Sequence, residues 1–264
     1  FRDAKRSDCV VQRYSRREPA SRSTIGTTWF DGDACLGSVN HDTMWVQRRP
    51  VIAYWQNGST IAVLRLRFLH DGKDFASAFV RNAQAGGRLL SGVSLLTDQG
   101  DYHCHLDRPA NSTFSAGDFR LRYELQADSA SVEELHDERF ILKAGPRMAA
   151  VHCHGGNFDG DDVVWEAGCE NGRAYVDAVC YHGPQRDFDF RQLGDTWLIV
   201  AMELLHAGEF ASDLGFDAHP VESSAVAWSA WQNYGLNVAV SRHPLPLAQA
   251  INTGIQPGET ERFD

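Results

Sequence analysis

The chain lacks most of the short signatures that mark common enzymes. It has no G-x-S-x-G, no Walker loop, no G-x-G-x-x-G at a strand–helix turn and no H-E-x-x-H, which removes several common enzyme classes. It has no uninterrupted apolar run of about 18 residues, so no helical membrane span is expected. A positive charge balance is also missing. The formal net charge is −10, which disfavours nucleic acid as a partner, because binding phosphates takes a basic surface. No repeat of some 20–50 residues is visible, which argues against a propeller. The first residue is Phe1, with no Met and no charged-then-apolar leader, as expected of a processed protein or an excised piece. A secreted or periplasmic location is expected.

Six cysteines (Cys9, Cys35, Cys104, Cys153, Cys169 and Cys180) fit no C-x-x-C zinc pattern, and either disulfides or buried thiols satisfy their spacing. Asn57-Gly58-Ser59 and Asn111-Ser112-Thr113 match the glycosylation acceptor pattern, which is short and often arises by chance.

What is present is β texture. In 264 residues, 43% are hydrophobic and 23% charged, enough apolar surface for one large domain. Residues 1–26 are polar and Arg-rich and read as a solvated arm or edge segment; residues 27–264 read as the folded domain. Thr60–Leu69 puts Ala62, Leu64, Leu66 and Phe68 on one face, with Arg65 and Arg67 on the other. Phe119–Leu125 alternates apolar and charged in the same way. Further strands are expected at Val51–Gln56, Ala76–Arg81, Leu89–Thr97, Arg139–Lys143, Met148–His154, Val163–Glu166, Ala174–His182, Trp197–Leu205 and Leu236–Ser241. Turn signals such as Asn57-Gly58, Asp71-Gly72, Gly86-Gly87 and Asn171-Gly172 separate them. Little helical periodicity and many strands predict an all-β fold, a large antiparallel two-sheet β-sandwich of supersandwich type. Glu203–Ala211 fits a helical turn or a strand end, and the tail from Pro244 reads as a loop.

The chemistry is concentrated in three stretches. The first is Asp101-Tyr102-His103-Cys104-His105-Leu106-Asp107, echoed by Val151-His152-Cys153-His154-Gly155. As a strand, the former would carry His103, His105 and Asp107 on one face and Cys104 on the other. Imidazole and carboxylate suit zinc, so His105, His152 and His154 are candidate ligands, with Asp118 or Asp159 as carboxylate donor. Two such strands side by side would also bring Cys104 and Cys153 towards each other. The plain alternative is two half-exposed strands whose histidines bond to neighbours. The second stretch is Ser38–Pro50, which packs Asn40, His41, Asp42, Trp45, Arg48 and Arg49 together. Arg48 and Arg49 suit bidentate recognition of a carboxylate or sulfate, and Trp45 offers a face for a sugar ring; a loop whose arginines pair with the acidic surface is the alternative. The third, Asn157–Asp162, has carboxylates around a glycine as calcium sites do, but lacks an EF-hand's spacing and reads as an acidic turn.

His103-Cys104-His105-Leu106-Asp107 resembles the H-x-H-x-D segment in the β-sandwich domain of heparinase II/III-type polysaccharide lyases, in which a helical toroid precedes the sandwich. Asn40–Pro50 and Leu95–Asp107 are also similar to uncharacterised bacterial proteins of that toroid-plus-sandwich kind. The resemblance implies His103 in a substrate cleft and His105 on a structural zinc, with Asp118 and His152 as further ligands. It implies an acidic polysaccharide as partner and β-elimination as the reaction. Arg48 and Arg49 would neutralise the uronate, His103 would move a proton, and His41 or a tyrosine would be the second group; Asn40 and Trp45 would help hold the sugar. The family's helical toroid, which carries its catalytic Tyr and Asn, has no counterpart in these residues, and Arg108-Pro109 breaks the motif where the family runs on as a strand. A non-catalytic structural or carbohydrate-binding sandwich is the alternative.

Overall fold

The computed structural model describes residues 10–16, 24–209, 215–221 and 224–251. In chain order the strands begin with β1 (Val10–Arg16), β2 (Thr24–Asp31), β3 (Ala34–Val39), β4 (His41–Met44), β5 (Val51–Asn57), β6 (Thr60–His70) and β7 (Lys73–Asp74). A hairpin of β8 (Ala78–Ala85) and β9 (Arg88–Leu95) follows, then β10 (Thr113–Gln126), β11 (Ser131–Glu134), β12 (Arg139–Ala144), β13 (Arg147–Phe158) and β14 (Asp161–Asp162). The last are β15 (Val164–Glu170), β16 (Arg173–Asp189), β17 (Trp197–His206), β18 (Phe216–Val221), β19 (Ala225–Ala230) and β20 (Leu236–Ser241).

The strands pair antiparallel in three sheets. The first runs β1-β2-β3-β5-β6-β10-β16-β15, with β7 on β6; the second runs β11-β12-β13-β17-β9-β8-β4, with β14 on β13; the third is β18-β19-β20. The protein is therefore all-β, and the two large sheets make the expected sandwich. Within the Arg-rich first 26 residues, Val10–Arg16 is an edge strand on β2; residues 1–9 and 17–23, and with them Cys9, lie outside the described residues.

Alternation explains the layers. On β6, Ala62, Leu64, Leu66 and Phe68 are buried between the sheets, while Arg65 and Arg67 point outward. On β10, Phe119, Leu121, Tyr123 and Leu125 face the same core and Arg120 and Arg122 face out. Phe119 lies among Phe75, Phe188 and Phe190, with ring centroids 5.3, 5.4 and 5.9 Å away. Several polar ties cross between the sheets, among them Ser38 on β3 to Gln84 on β8. Trp55 on β5 donates its indole N–H to the Ala144 carbonyl at 2.8 Å, and the buried Arg147 on β13 binds Asp31 and Asp33 at the β2–β3 turn.

The burial pattern of β8 and β9 does not alternate, because the third sheet covers the outer face of the second. Leu90, Ile199 and Ala201 pack there against Leu236, Val238 and Val240. Gly92 permits that approach: a Cβ on it would lie 2.4 Å from Val240 Cγ1 and 3.2 Å from Ile199 Cδ1. Of the two readings of Glu203–Ala211, the strand end holds for its described part: β17 continues to His206 before turning, with Phe210 and Ala211 outside the described residues. The tail past Pro244, expected as a loop, holds a short helix, Leu247–Ala250, docked against Phe79 and Leu96. Cys35, Cys104, Cys153, Cys169 and Cys180 are free thiols.

Candidate functional site

The Ser38–Pro50 stretch folds round the short strand β4 at the free edge of the second sheet. Asn40 sets its path: its Oδ1 accepts the backbone N–H groups of Ile25 and His41 at 2.9 and 3.0 Å. Just beyond β4, Trp45 and Arg48 exchange backbone hydrogen bonds and close a tight turn. Arg48 reaches back to Asp42 at 2.6 Å, and Arg49 bonds the Trp45 carbonyl and Asp74. His41 points inward, buried near Phe79. A polymer outside cannot reach it, which corrects its expected place as a second proton-transfer group.

Residues Asp101–Asp107 are not a strand. They form a closed turn, tied by the Asp101 N–H to the Asp107 carbonyl at 3.1 Å and the His103 N–H to Asp107 Oδ2 at 3.1 Å. The His103 carbonyl accepts from both Leu106 and Asp107 at 3.2 Å. The two-residue side-chain alternation therefore does not apply. Asp107 serves the backbone, His105 is exposed, and Cys104 is buried against Trp45 and Ala76. His103 is half-buried, its ring edge-on to Trp45 with centroids 4.5 Å apart. The turn thus sets His103 on Trp45, with Arg48 and Arg108 both close enough for their charge to act on Cys104 between His103 and His105. Tyr102, beside His103, is 42% exposed.

A residue that sequence reading passed over holds this turn in place. His70, at the end of β6, bonds Asp101 Oδ1 through Nδ1 at 2.9 Å and the Ser115 carbonyl through Nε2 at 2.8 Å. Its ring lies on Phe119, 4.9 Å between centroids. Both partners are acceptors, so both ring nitrogens must donate, and the pair of bonds favours the imidazolium. Burial pulls the His70 pKa down, but Asp101, the Ser115 carbonyl and Asp71 together raise it overall. A raised folded pKa means that the clamp's contribution is complete below the unfolded value near 6.5 and is lost as pH rises through the folded one. Titrating the His70 ring by NMR is expected to give a pKa above 6.5; a value below it would show that the clamp works as a neutral ring.

The expected zinc ligands stand in separate places. His105 sits on the turn beside the end of β4. His152 and His154 lie on β13, facing Phe216 and Trp228 of the third sheet. Three strands separate β4 from β13, a gap of roughly 19 Å at the usual strand spacing. Asp118, on β10, is engaged by Arg120 and by His182 at 3.1 Å. A tetrahedral zinc needs its ligands about 2.0–2.2 Å from one point, and this placement does not fit. Among the described residues no group of three or more His, Cys, Asp or Glu is gathered for a metal ion. Cys104 and Cys153 are likewise apart, one under Trp45 and the other in the main core. The Asn157–Asp162 stretch is a hairpin turn, with Asp159 and Gly160 at positive φ and Asp159 Oδ1 accepting the Gly194 N–H.

His152 and His154 are instead a buried pair. Among the described residues, His152 Nδ1 and His154 Nε2 have no hydrogen-bond partner. Burial, with Arg139 adding to it, lowers the His152 pKa to about 4. Burial, with the charge of His152 and Arg139, lowers that of His154 to about 2. Both are neutral at pH 7.

No protein-family model matches the chain, and no curated protein matches it. A solved heparinase III, described with methylated lysines, aligns with 89% of this chain and 27% of its own length, at 10% identity and a TM-score of 0.31. This chain spans about a quarter of that protein, and the likeness is distant and in fold alone.

Proposed function

We propose that the chain is the β-sandwich portion of a carbohydrate-active enzyme that cleaves an acidic polysaccharide by β-elimination. The observation that supports this is His103 held edge-on to Trp45, with Arg48 close enough for its charge to act on the adjacent Cys104, on a closed surface turn anchored by His70. In β-elimination a base removes the C5 proton of a uronate, electrons move into the C4–C5 bond, and the C4–O bond breaks as the leaving oxygen takes a proton. His103 is the group to accept the C5 proton. Tyr102, exposed next to it, is the group to protonate the leaving oxygen. Arg48 would turn from Asp42 to the uronate carboxylate, where a planar guanidinium stabilises the negative charge that develops. Trp45 is as buried as His41, so it does not offer a sugar the face expected from the sequence; it holds the His103 ring edge-on instead.

Incubation with uronate polymers is expected to produce the ultraviolet absorbance of an unsaturated product. His103→Ala is expected to lower that rate by about a hundredfold or more, the usual worth of a positioned acid or base. An unchanged rate removes His103 from the chemistry.

A second reading, a non-catalytic carbohydrate-binding module, is favoured by the pairing of Arg48 with Asp42 and of Arg49 with Asp74. It predicts retention of uronate polymers in affinity electrophoresis with no unsaturated product.

A further inference from the structure

The opposite end of the sandwich carries a site that neither reading uses. We infer that the cleft between Trp29 and Tyr234, at the β8–β9 turn, binds a neutral saccharide unit. The cleft is open, with a volume of about 740 Å³, within the range of small-ligand sites. It lies at the far end of β8 from the His103 turn, roughly 23 Å away along the strand.

Its parts come from five distant places in the chain. Trp29, near the end of β2, is largely buried and is fixed by the Gly86-Gly87 turn: a Cβ on Gly87 would lie 3.1 Å from the indole and 2.9 Å from the Leu204 carbonyl. Arg88 begins β9 and bonds Glu203 on β17 at 2.7 Å. Its guanidinium lies 4.4 Å from the Tyr234 ring centroid, so cation and ring hold each other flat. On the other wall Asp31 meets His206 at 3.2 Å and the buried Arg147 at 2.7 Å.

This is the chemistry a pyranose needs. Its C–H face packs on an aromatic ring, and each hydroxyl both donates and accepts. Carboxylates of Asp31, Glu203 and Glu209 accept, and guanidinium N–H groups of Arg88 donate. The donors and acceptors already hold one another in place, so little ordering is left to binding. Charge selects against uronate and sulfate. Three carboxylates line the cleft against two guanidiniums, and both guanidiniums are paired to carboxylates. Tyr234 is 44% exposed and open to a ligand.

The test is titration calorimetry of the whole chain with neutral hexa-oligosaccharides of glucose and of N-acetylglucosamine, and with an oligogalacturonate. At least one neutral oligosaccharide is expected to bind. Tyr234→Ala is expected to weaken that binding about tenfold, the worth of one lost aromatic contact. Glu209→Gln, a shape-preserving change on the cleft wall, is expected to weaken it as well and covers the case in which Tyr234→Ala does not fold. His103→Ala is expected to leave it unchanged, so failure here and failure of the lyase reading are separable. No binding of any neutral oligosaccharide at millimolar concentration overturns the inference. Binding insensitive to both cleft variants, or oligogalacturonate competing for the cleft, does so too.

Discussion

Replacing Asp177 with alanine is expected to cost about 3–5 kcal/mol of stability, the usual cost of leaving a buried charge without its partner. Asp177 lies on β16 with a fully buried side chain, although its strand face points away from the core. Arg122 binds both its oxygens at 2.7 Å, and Arg120 binds Oδ2 at 2.8 Å. Arg122 in turn lies on Tyr175, 4.0 Å from its ring centroid. The outer face of the first sheet is thus a ladder in which carboxylates are covered by the arginines that pair with them; Arg67 repeats the arrangement with Asp74 and Glu124. Alanine would leave two guanidiniums side by side with one carboxylate fewer. Urea unfolding at pH 7 is the measurement. A loss below about 1 kcal/mol would mean that the ladder behaves as an ordinary solvent-exposed ion network.

Acidification is the second large effect. Between pH 6.5 and pH 4.5 the protein is expected to lose stability at up to about 1.4 kcal/mol per pH unit for each depressed histidine. The sign follows from His152 and His154. Their folded pKa values lie below the unfolded value near 6.5, so the stability they permit is complete above it. It is lost as pH falls from there towards the folded values, because the unfolded chain takes up protons that the folded one refuses. For His152 alone, moved to about 4, the eventual loss is roughly 3 kcal/mol. The pair lies under Phe216 and Trp228, beside Arg139 and near Asp137, so the third sheet should loosen first. Denaturation series read by tryptophan fluorescence at several pH values test this. His152→Gln with His154→Gln should flatten the dependence in that window. Stability that stays level from pH 7 to pH 5 would show that the rings protonate without hindrance.

The amino-acid sequence by itself determined the fold class and much of its layering. Alternation is a property of the extended backbone, so Leu64, Leu66 and Phe68, or Leu121 and Tyr123, declare a buried face wherever their strand is placed. Asn57-Gly58 and Asn171-Gly172 likewise mark turns, because only a few residues tolerate positive φ. The closeness of Trp45, Arg48 and Arg49 was also legible, since it is local.

Tertiary structure decided the rest. Whether His103-Cys104-His105 lay on a strand depended on Asp101 and Asp107 closing a turn and on His70, from a different strand, clamping it. Whether His152 and His154 faced water or protein depended on a third sheet formed more than sixty residues later. The cleft at Trp29 joins Arg88 to Glu203, which are 115 positions apart. No local pattern encodes such meetings, because which strand lies beside which is settled by burying apolar faces across the whole chain, and a polar site inherits whatever neighbours that burial brings.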